Sequence, residues 1–170
     1  MKKESSARAS APSGPEALRE GDPAPDFTLP QTDGSEITLS NLRGQAVVLF
    51  FYPKDLTPGC TTEACDFRDA RATREATGVV VLGISPDPVK KHVQFAAKHD
   101  LDFPLLADTD HRVQLAYGVR KEKSLYGKTF LGVERSTFLI DGKGIVRRVW
   151  RQVKVAGHVD EVLRAAAELA

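Results

Sequence analysis

The chain alternates between short, wholly apolar runs and longer amphipathic ones. Residues 47–52 read Val-Val-Leu-Phe-Phe-Tyr without a polar break, the pattern of a strand covered on both faces. Pro53 ends it, because proline has no N–H to give to a sheet ladder. A helix is expected from about residue 58 to 76, and residues 79–85 form a second buried strand. Asp87-Pro88 then offers a helix start, with Asp as N-cap and Pro at the first helical position, and this helix runs to about His99. Residues 103–107 make a short strand before a helix near 110–117. Ser136–Ile140 and residues 145–153 flank Asp141-Gly142-Lys143-Gly144, a turn of hairpin type. In the last helix, over 159–169, Val159, Val162, Leu163 and Ala166 share one face at helical spacing. Two short extended pieces, 26–29 and 37–39, precede all of these and flank a turn at Thr32-Asp33-Gly34-Ser35.

This order, β-α-β and then β-β-α, describes a mixed central sheet with helices on both faces. It is the order of a thioredoxin-like fold in the α/β class, here with N-terminal extended pieces. Residues 1–20 stand apart. Met1 to Pro15 hold four serines, two prolines and hardly any large apolar side chain, a composition that buries too little surface to order itself. The segment lacks the apolar stretch of a secretory signal, and Glu4 speaks against a transit peptide despite Lys2, Lys3 and Arg8. The expectation is a disordered cytoplasmic extension over 1–20 and one domain over 21–170.

Composition narrows the function classes. The 170 residues are 41% hydrophobic and 28% charged, as in a single globular domain. Twenty-four basic and 23 acidic residues leave a formal charge of +1, so no general affinity for nucleic acid or an anionic membrane is expected. The apolar runs at 46–52 and 78–86 fall far short of the ~18 residues a membrane helix needs. Arg147, Arg148, Arg151 and Lys154 surround Trp150, a mixture that nucleic-acid grooves use. In a chain so evenly charged it reads instead as an exposed strand side with one ring packed inward. His92, His99, His111 and His158 are scattered without ligand spacing and read as surface or helix-end residues, so neither metal nor cofactor is expected.

Two cysteines remain, too few for a disulfide scaffold or a four-ligand zinc site. They lie in Tyr52-Pro53-Lys54-Asp55-Leu56-Thr57-Pro58-Gly59-Cys60-Thr61-Thr62-Glu63-Ala64-Cys65, between a buried strand and the helix after it. Functional groups gather at such strand ends in α/β sheets. Thr57 is a good N-cap and Pro58 suits the first helical position, which puts Cys60 in the first turn. The free amides and positive dipole end there favour a thiolate. The Thr57 hydroxyl can serve either the Cys60 amide or something bound beside the sulfur. Cys60, Ala64 and Phe67 share a face from which Cys65 points away. Five residues of helix correspond to ~7.5 Å of rise and ~140° of rotation, so the two Cα atoms lie roughly 8–9 Å apart. A disulfide needs ~7 Å or less. If these sulfurs bond, the helix must first unwind locally. The competing reading makes both cysteines small buried apolar residues, and it is weaker for Cys60, before which Pro, Thr, Pro and Gly crowd.

Pro53-x-x-x-Thr57-x-x-Cys60 resembles the peroxidatic motif of the peroxiredoxins. The longer string from Tyr52 to Cys65 is similar to their subgroup called bacterioferritin comigratory protein, or peroxiredoxin Q. Gly21-Asp22-x-Ala24-Pro25-Asp26-Phe27, Gly83-Ile84-Ser85-x-Asp87, Tyr126-Gly127-Lys128 and Gly132-Val133-x-Arg135-Ser136-Thr137-Phe138-Leu139-Ile140-Asp141 extend the likeness over roughly residues 20–168. The resemblance implies that Cys60 is the peroxidatic cysteine, oxidised by a hydroperoxide to a sulfenic acid. It implies further that Thr57 hydrogen-bonds the peroxide and Pro53 shields the pocket. Arg135, on a strand beside the pocket, holds the thiolate and polarises the peroxide, and Glu63 orients Arg135. Cys65 resolves the sulfenic acid to an intramolecular disulfide, which thioredoxin or a similar dithiol protein reduces. A monomer is implied as well. Peroxide cleavage needs a thiolate and donors for the departing oxygen, a task that suits a permanently charged, forked Arg better than Lys. Without the resemblance, Arg135 reads as a solvated strand-end charge, and Glu63 is equally well explained by the helix dipole.

Two other functions stay open on the residues alone. One is a general thiol–disulfide oxidoreductase, which normally uses Cys-x-x-Cys, whereas four residues separate the thiols here. The other is a non-catalytic redox switch whose helix unwinding controls a partner.

Overall fold

The computed structural model describes residues 18–169. Its centre is a five-stranded sheet built on β3 (Val47–Phe51), whose five residues are all buried. β3 pairs in parallel with β4 (Val80–Ser85), which pairs in parallel with β5 (Leu105–Ala107). On its other edge β3 meets β8 (Ser136–Ile140) antiparallel, and β8 meets β9 (Val146–Trp150) the same way. The order is β5-β4-β3-β8-β9, a mixed sheet of the thioredoxin-like kind. Two small antiparallel pairs lie outside it: β1 (Thr28–Pro30) with β2 (Glu36–Thr38), and β6 (Arg120–Leu125) with β7 (Lys128–Val133).

Alternation along β3 sorts its side chains into two cores. Val47, Leu49 and Phe51 face a layer that includes Phe27, Leu29, Tyr117, Phe138 and Ile140, below the N-terminal strands and the short helix α4 (Arg112–Ala116). Val48, Phe50 and Tyr52 face the other way, into a core with Cys60, Phe67, Phe95, Val162 and Leu163. That face is covered by α1 (Pro58–Asp69), α3 (Val89–His99) and α5 (His158–Ala167), with α2 (Arg71–Thr77) packed beside α5. A fully buried Val, Leu or Phe contributes about 1.5–3 kcal/mol, so an unbroken apolar β3 is what lets helices pack on both its sides. Cys60 is thus on the helix-covered face, at the C-terminal end of β3.

Several expected boundaries moved. The helix expected over 58–76 is broken at Ala70, whose N–H is shared between the carbonyls of Asp66 and Phe67. Arg74 reaches back to the Phe67 carbonyl at 2.9 Å and pairs with Asp102 at 2.6 Å, satisfying the broken end. Asp87 does not cap α3. Pro88 is its N-cap residue, and the Asp87 carboxylate turns instead to the Asp55 amide and the Ser85 hydroxyl. Residues 39–42 wind into a 3₁₀ turn where a strand end was expected. The β6–β7 hairpin was not anticipated, because Arg120-Lys121-Glu122-Lys123 shows no apolar alternation. The Asp141–Gly144 turn forms as expected, with the Asp141 side chain accepting from the Lys143 and Ile145 amides. Of the expected extension only residues 18–20 are described, and Leu18 packs on the core; residues 1–17 lie outside the described residues. Among the described residues, no helix is long and apolar enough to cross a membrane, and no three His, Cys, Asp or Glu side chains gather as a metal would need.

Candidate active site

Thr57 takes the extended N-cap conformation and Pro58 the first helical position, as the sequence predicts. The Thr57 hydroxyl does not cap the helix, however, but donates to the Lys54 carbonyl at 2.8 Å. Two positions after Pro58, Cys60 sits in the first turn of α1 and is only 1% exposed. Ala64 and Phe67 on the same face are fully buried, whereas Cys65 is half-buried and both thiols are free. The helix is regular across both, so the two sulfurs are held on different sides of it.

Arg135 is not on a strand. It lies in the two-residue link between β7 and β8, where the chain leaves the hairpin for the central sheet. Its Nη2 donates to Cys60 Sγ at 3.2 Å, and its Nη1 donates to Glu63 Oε1 at 2.6 Å. The forked guanidinium thus holds sulfur and carboxylate with separate nitrogens, a geometry Lys has no means to copy. Burial works against the Arg135 charge, but Glu63 and Cys60 outweigh it and hold the group above its usual range. Gly59 makes room for this approach, since a Cβ there would stand 3.2 Å from Arg135 Nη2. Gly59→Ala should therefore slow oxidation of Cys60 by peroxide about tenfold. It should leave folding stability equal or higher, because Ala is the better helix former by about 1 kcal/mol. Stopped-flow oxidation and a urea titration read the two effects separately.

Glu63, one turn after Cys60, is fully buried. Its Oε2 has no hydrogen-bond partner, and His158 Nε2 stands 4.0 Å from it. Burial pushes the Glu63 carboxyl up to about 7 despite the opposing pull of Arg135. His158 is buried too and shares a 2.8 Å hydrogen bond with Thr137 Oγ1. Burial, aided by the Arg135 charge and opposed by Glu161, pushes its pKa down to about 4, so its ring is neutral at pH 7. Pro53 is half-buried directly after Tyr52.

The structure therefore brings Cys60, Glu63 and Arg135 into direct contact, with Thr57 at the same helix end and Cys65 one and a half turns along. Sequence reading missed Thr137 and His158, and it missed the buried His92 and Asp55. His92 and His158 are not surface residues. The available signal for His92 was its spacing of three from Phe95, which puts both on the apolar face of α3. Trp150 is half-buried, its ring edge-on to His158, with Arg148 over its face and Glu161 accepting from its Nε1.

Residues 20–149 match the AhpC/TSA family. Peroxiredoxin Bcp of Bacillus subtilis is 47% identical over 149 residues, 88% of this chain and 95% of its own. Peroxiredoxin Bcp of Escherichia coli K12 is 47% identical over 146 residues, 86% of this chain and 94% of its own. Among solved structures, peroxiredoxin Q of Xanthomonas campestris superposes with a TM-score of 0.80 at 46% identity, covering 84% of this chain and 90% of that one. A cysteine-to-serine mutant of Xylella fastidiosa peroxiredoxin Q gives 0.84 at 40% identity, covering 88% and 96%. The chain belongs to the AhpC/TSA family and, within it, to the peroxiredoxins of the Bcp or peroxiredoxin Q type. It is a thiol-dependent peroxidase.

Proposed function

We propose that Cys60 is the sulfur that attacks the peroxide and that Cys65 closes the cycle within the same chain. The observation that carries this is the Arg135 N–H at 3.2 Å from Cys60 Sγ, in the first turn of a helix whose amide end also favours negative charge. The thiolate attacks the terminal oxygen of ROOH and the O–O bond breaks. The oxygen stays on sulfur as a sulfenic acid, and RO⁻ takes a proton to leave as ROH. Arg135 stabilises both the attacking sulfur and the oxygen that gains charge. The Thr57 hydrogen points at the Lys54 carbonyl, so its oxygen is left to accept from the peroxide O–H. Pro53 covers the strand side of the pocket, and Glu63 holds Arg135 in place. Cys65 then attacks the sulfenic sulfur, water leaves, and a disulfide forms once α1 has unwound.

In this reading the reductant is thioredoxin or a similar dithiol protein, and the enzyme acts as a monomer in the cytoplasm. Support comes from a resolving thiol carried on the same chain and from a chain of only two cysteines, which does not use a disulfide scaffold. A cysteine only 1% exposed favours a two-oxygen substrate over a protein disulfide, which speaks against a general oxidoreductase. Xanthomonas campestris bacterioferritin comigratory protein has been studied for alkyl peroxide reduction, and organic hydroperoxides are proposed here alongside hydrogen peroxide. On mixing reduced protein with hydrogen peroxide, we expect a fast second-order loss of both thiols and steady turnover with thioredoxin. Reaction no faster than that of a small free thiol overturns the proposal. Cys65→Ser should stop at the sulfenic acid and turn over only with small thiol reductants.

A further inference from the structure

A buried hydrogen-bond network anchors the segment that leads into the Cys60 helix, and nothing in the chemistry above uses it. The side chains of Asp55 and His92 have no exposure, and Tyr52 has none either. The Tyr52 hydroxyl donates to Asp55 Oδ1 at 2.5 Å, and His92 Nδ1 lies 2.6 Å from Asp55 Oδ2. His92 Nε2 lies 2.9 Å from the Leu106 carbonyl. A carbonyl only accepts, so Nε2 carries a proton. Burial and Asp55 hold the Tyr52 phenol well above its usual range, so it keeps its proton and donates. One proton is left between Nδ1 and Oδ2. Whichever atom holds it, the His92–Asp55 pair is neutral as a whole and its polar atoms are satisfied, which a buried pair requires.

This network pins Asp55 to three elements at once. Tyr52 ties it to the end of β3, His92 to α3, and the His92–Leu106 bond ties that helix in turn to β5. The Asp55 amide donates to Asp87 Oδ2 at 2.7 Å, where the Ser85 hydroxyl also bonds. The next residue, Leu56, has a φ of +68°, a left-handed conformation that a leucine keeps only when its surroundings over-determine it. Helix α1 has no side-chain cap bond. Its first turn is joined to the anchor through the Thr57 hydroxyl on Lys54 and the Thr61 amide on the Thr57 carbonyl.

We propose that the Tyr52–Asp55–His92 network is the latch that keeps the Cys60 helix wound for attack on peroxide and releases before Cys60 reaches Cys65. His92 is then a positioning residue whose two effects have opposite signs. Holding the helix wound speeds the first step and slows the second. The proposal rests on the peroxidase reading above and extends it to the control of resolution.

The test measures both steps in one experiment, with rapid mixing of reduced protein and hydrogen peroxide followed by Trp150 fluorescence. Trp150 is the only tryptophan and packs edge-on to His158, which faces Glu63 on α1. In His92→Gln, disulfide formation should speed up about tenfold, the effect of losing one buried hydrogen bond, and oxidation of Cys60 should slow by about twofold or less, because the wound form stays well populated before oxidation. Overoxidation at high peroxide should fall accordingly. Tyr52→Phe removes a single bond and keeps the His92–Asp55 pair, so it should shift both steps the same way by less, and it serves if His92→Gln does not fold. Disulfide formation that is unchanged or slower in the folded variants overturns the latch. Wild-type protein that fails to react quickly with peroxide overturns the peroxidase reading instead.

Discussion

A Cys60→Ser chain consumes no peroxide, and an Arg135→Met chain oxidises its thiol about a hundred to a thousand times more slowly than the wild type. The first outcome follows from the chemistry of sulfur, since a serine hydroxyl is not oxidised to a sulfenic-acid equivalent, and Cys65 lies beyond the first helical turn, where the Arg135 hydrogen bond goes to Cys60. The second follows from charge. As the O–O bond breaks, negative charge moves from sulfur to the departing oxygen, and Arg135 Nη2, 3.2 Å from Sγ, is the cation already in place. Loss of one such preorganised donor costs roughly 10²–10³ in rate. Methionine keeps length and apolar contact while removing charge, so the change reports electrostatics more than packing. The carboxyl left behind at Glu63 need not stay ionised, because its pKa is already pushed up to about 7. Arg135→Lys should fall between, since an ammonium keeps the charge but not the fork that spans sulfur and carboxylate. Stopped-flow oxidation of the reduced variants checks this. A Met variant within about threefold of wild type would make Arg135 a structural residue, since the expected donor effect is far larger.

What was legible in the sequence and what was not divide along a physical line. β3 and the start of α1 were legible because each is determined locally: an unbroken apolar run, then a proline, then Thr-Pro at a helix entry. The Cys60, Ala64 and Phe67 face follows from helical spacing, and the structure buries all three. Tertiary contacts decided the rest. The helix breaks at Ala70 because Arg74 finds Phe67 and Asp102, partners seven and 28 residues away. Asp87 abandons its cap for the Asp55 amide 32 residues off. The same holds inside the site. Arg135 meets Cys60 across 75 residues, and only the resemblance to a known family put the two together beforehand. His92 and His158 read as surface or helix-end residues, and His158 does open α5, but both are buried, because a histidine's burial depends on a partner elsewhere in the chain, here Asp55 and Thr137.

Replacing Glu63 by Gln should make the reduced protein relatively more stable as pH rises, gaining about 3 kcal/mol on the wild type between pH 4.5 and pH 7. In the folded wild type, burial raises the Glu63 carboxyl from 4.5 to about 7. The unfolded chain gives up this proton as pH passes 4.5, while the folded chain keeps it until about 7. Across that window the folded state binds more protons, so the Glu63 contribution is fully present below 4.5 and is lost as pH climbs through 7. Gln has no proton to lose, and its difference from wild type therefore grows with pH. The cause is visible in the geometry. Arg135 serves Oε1, but Oε2 has no partner, and His158 stands 4.0 Å away with a neutral ring. Urea titrations of both reduced proteins at half-unit steps of pH measure the difference directly, and a flat difference would mean that Arg135 fully compensates the buried charge. The cost of that charge also has a use in the proposed cycle. An ionised Glu63 with one bare oxygen is stable only while Arg135 holds the other. Arg135 serves the carboxylate and the sulfur with separate nitrogens, and conversion of the thiolate to a neutral sulfenic acid removes the charge that draws the second of them to the first turn of α1.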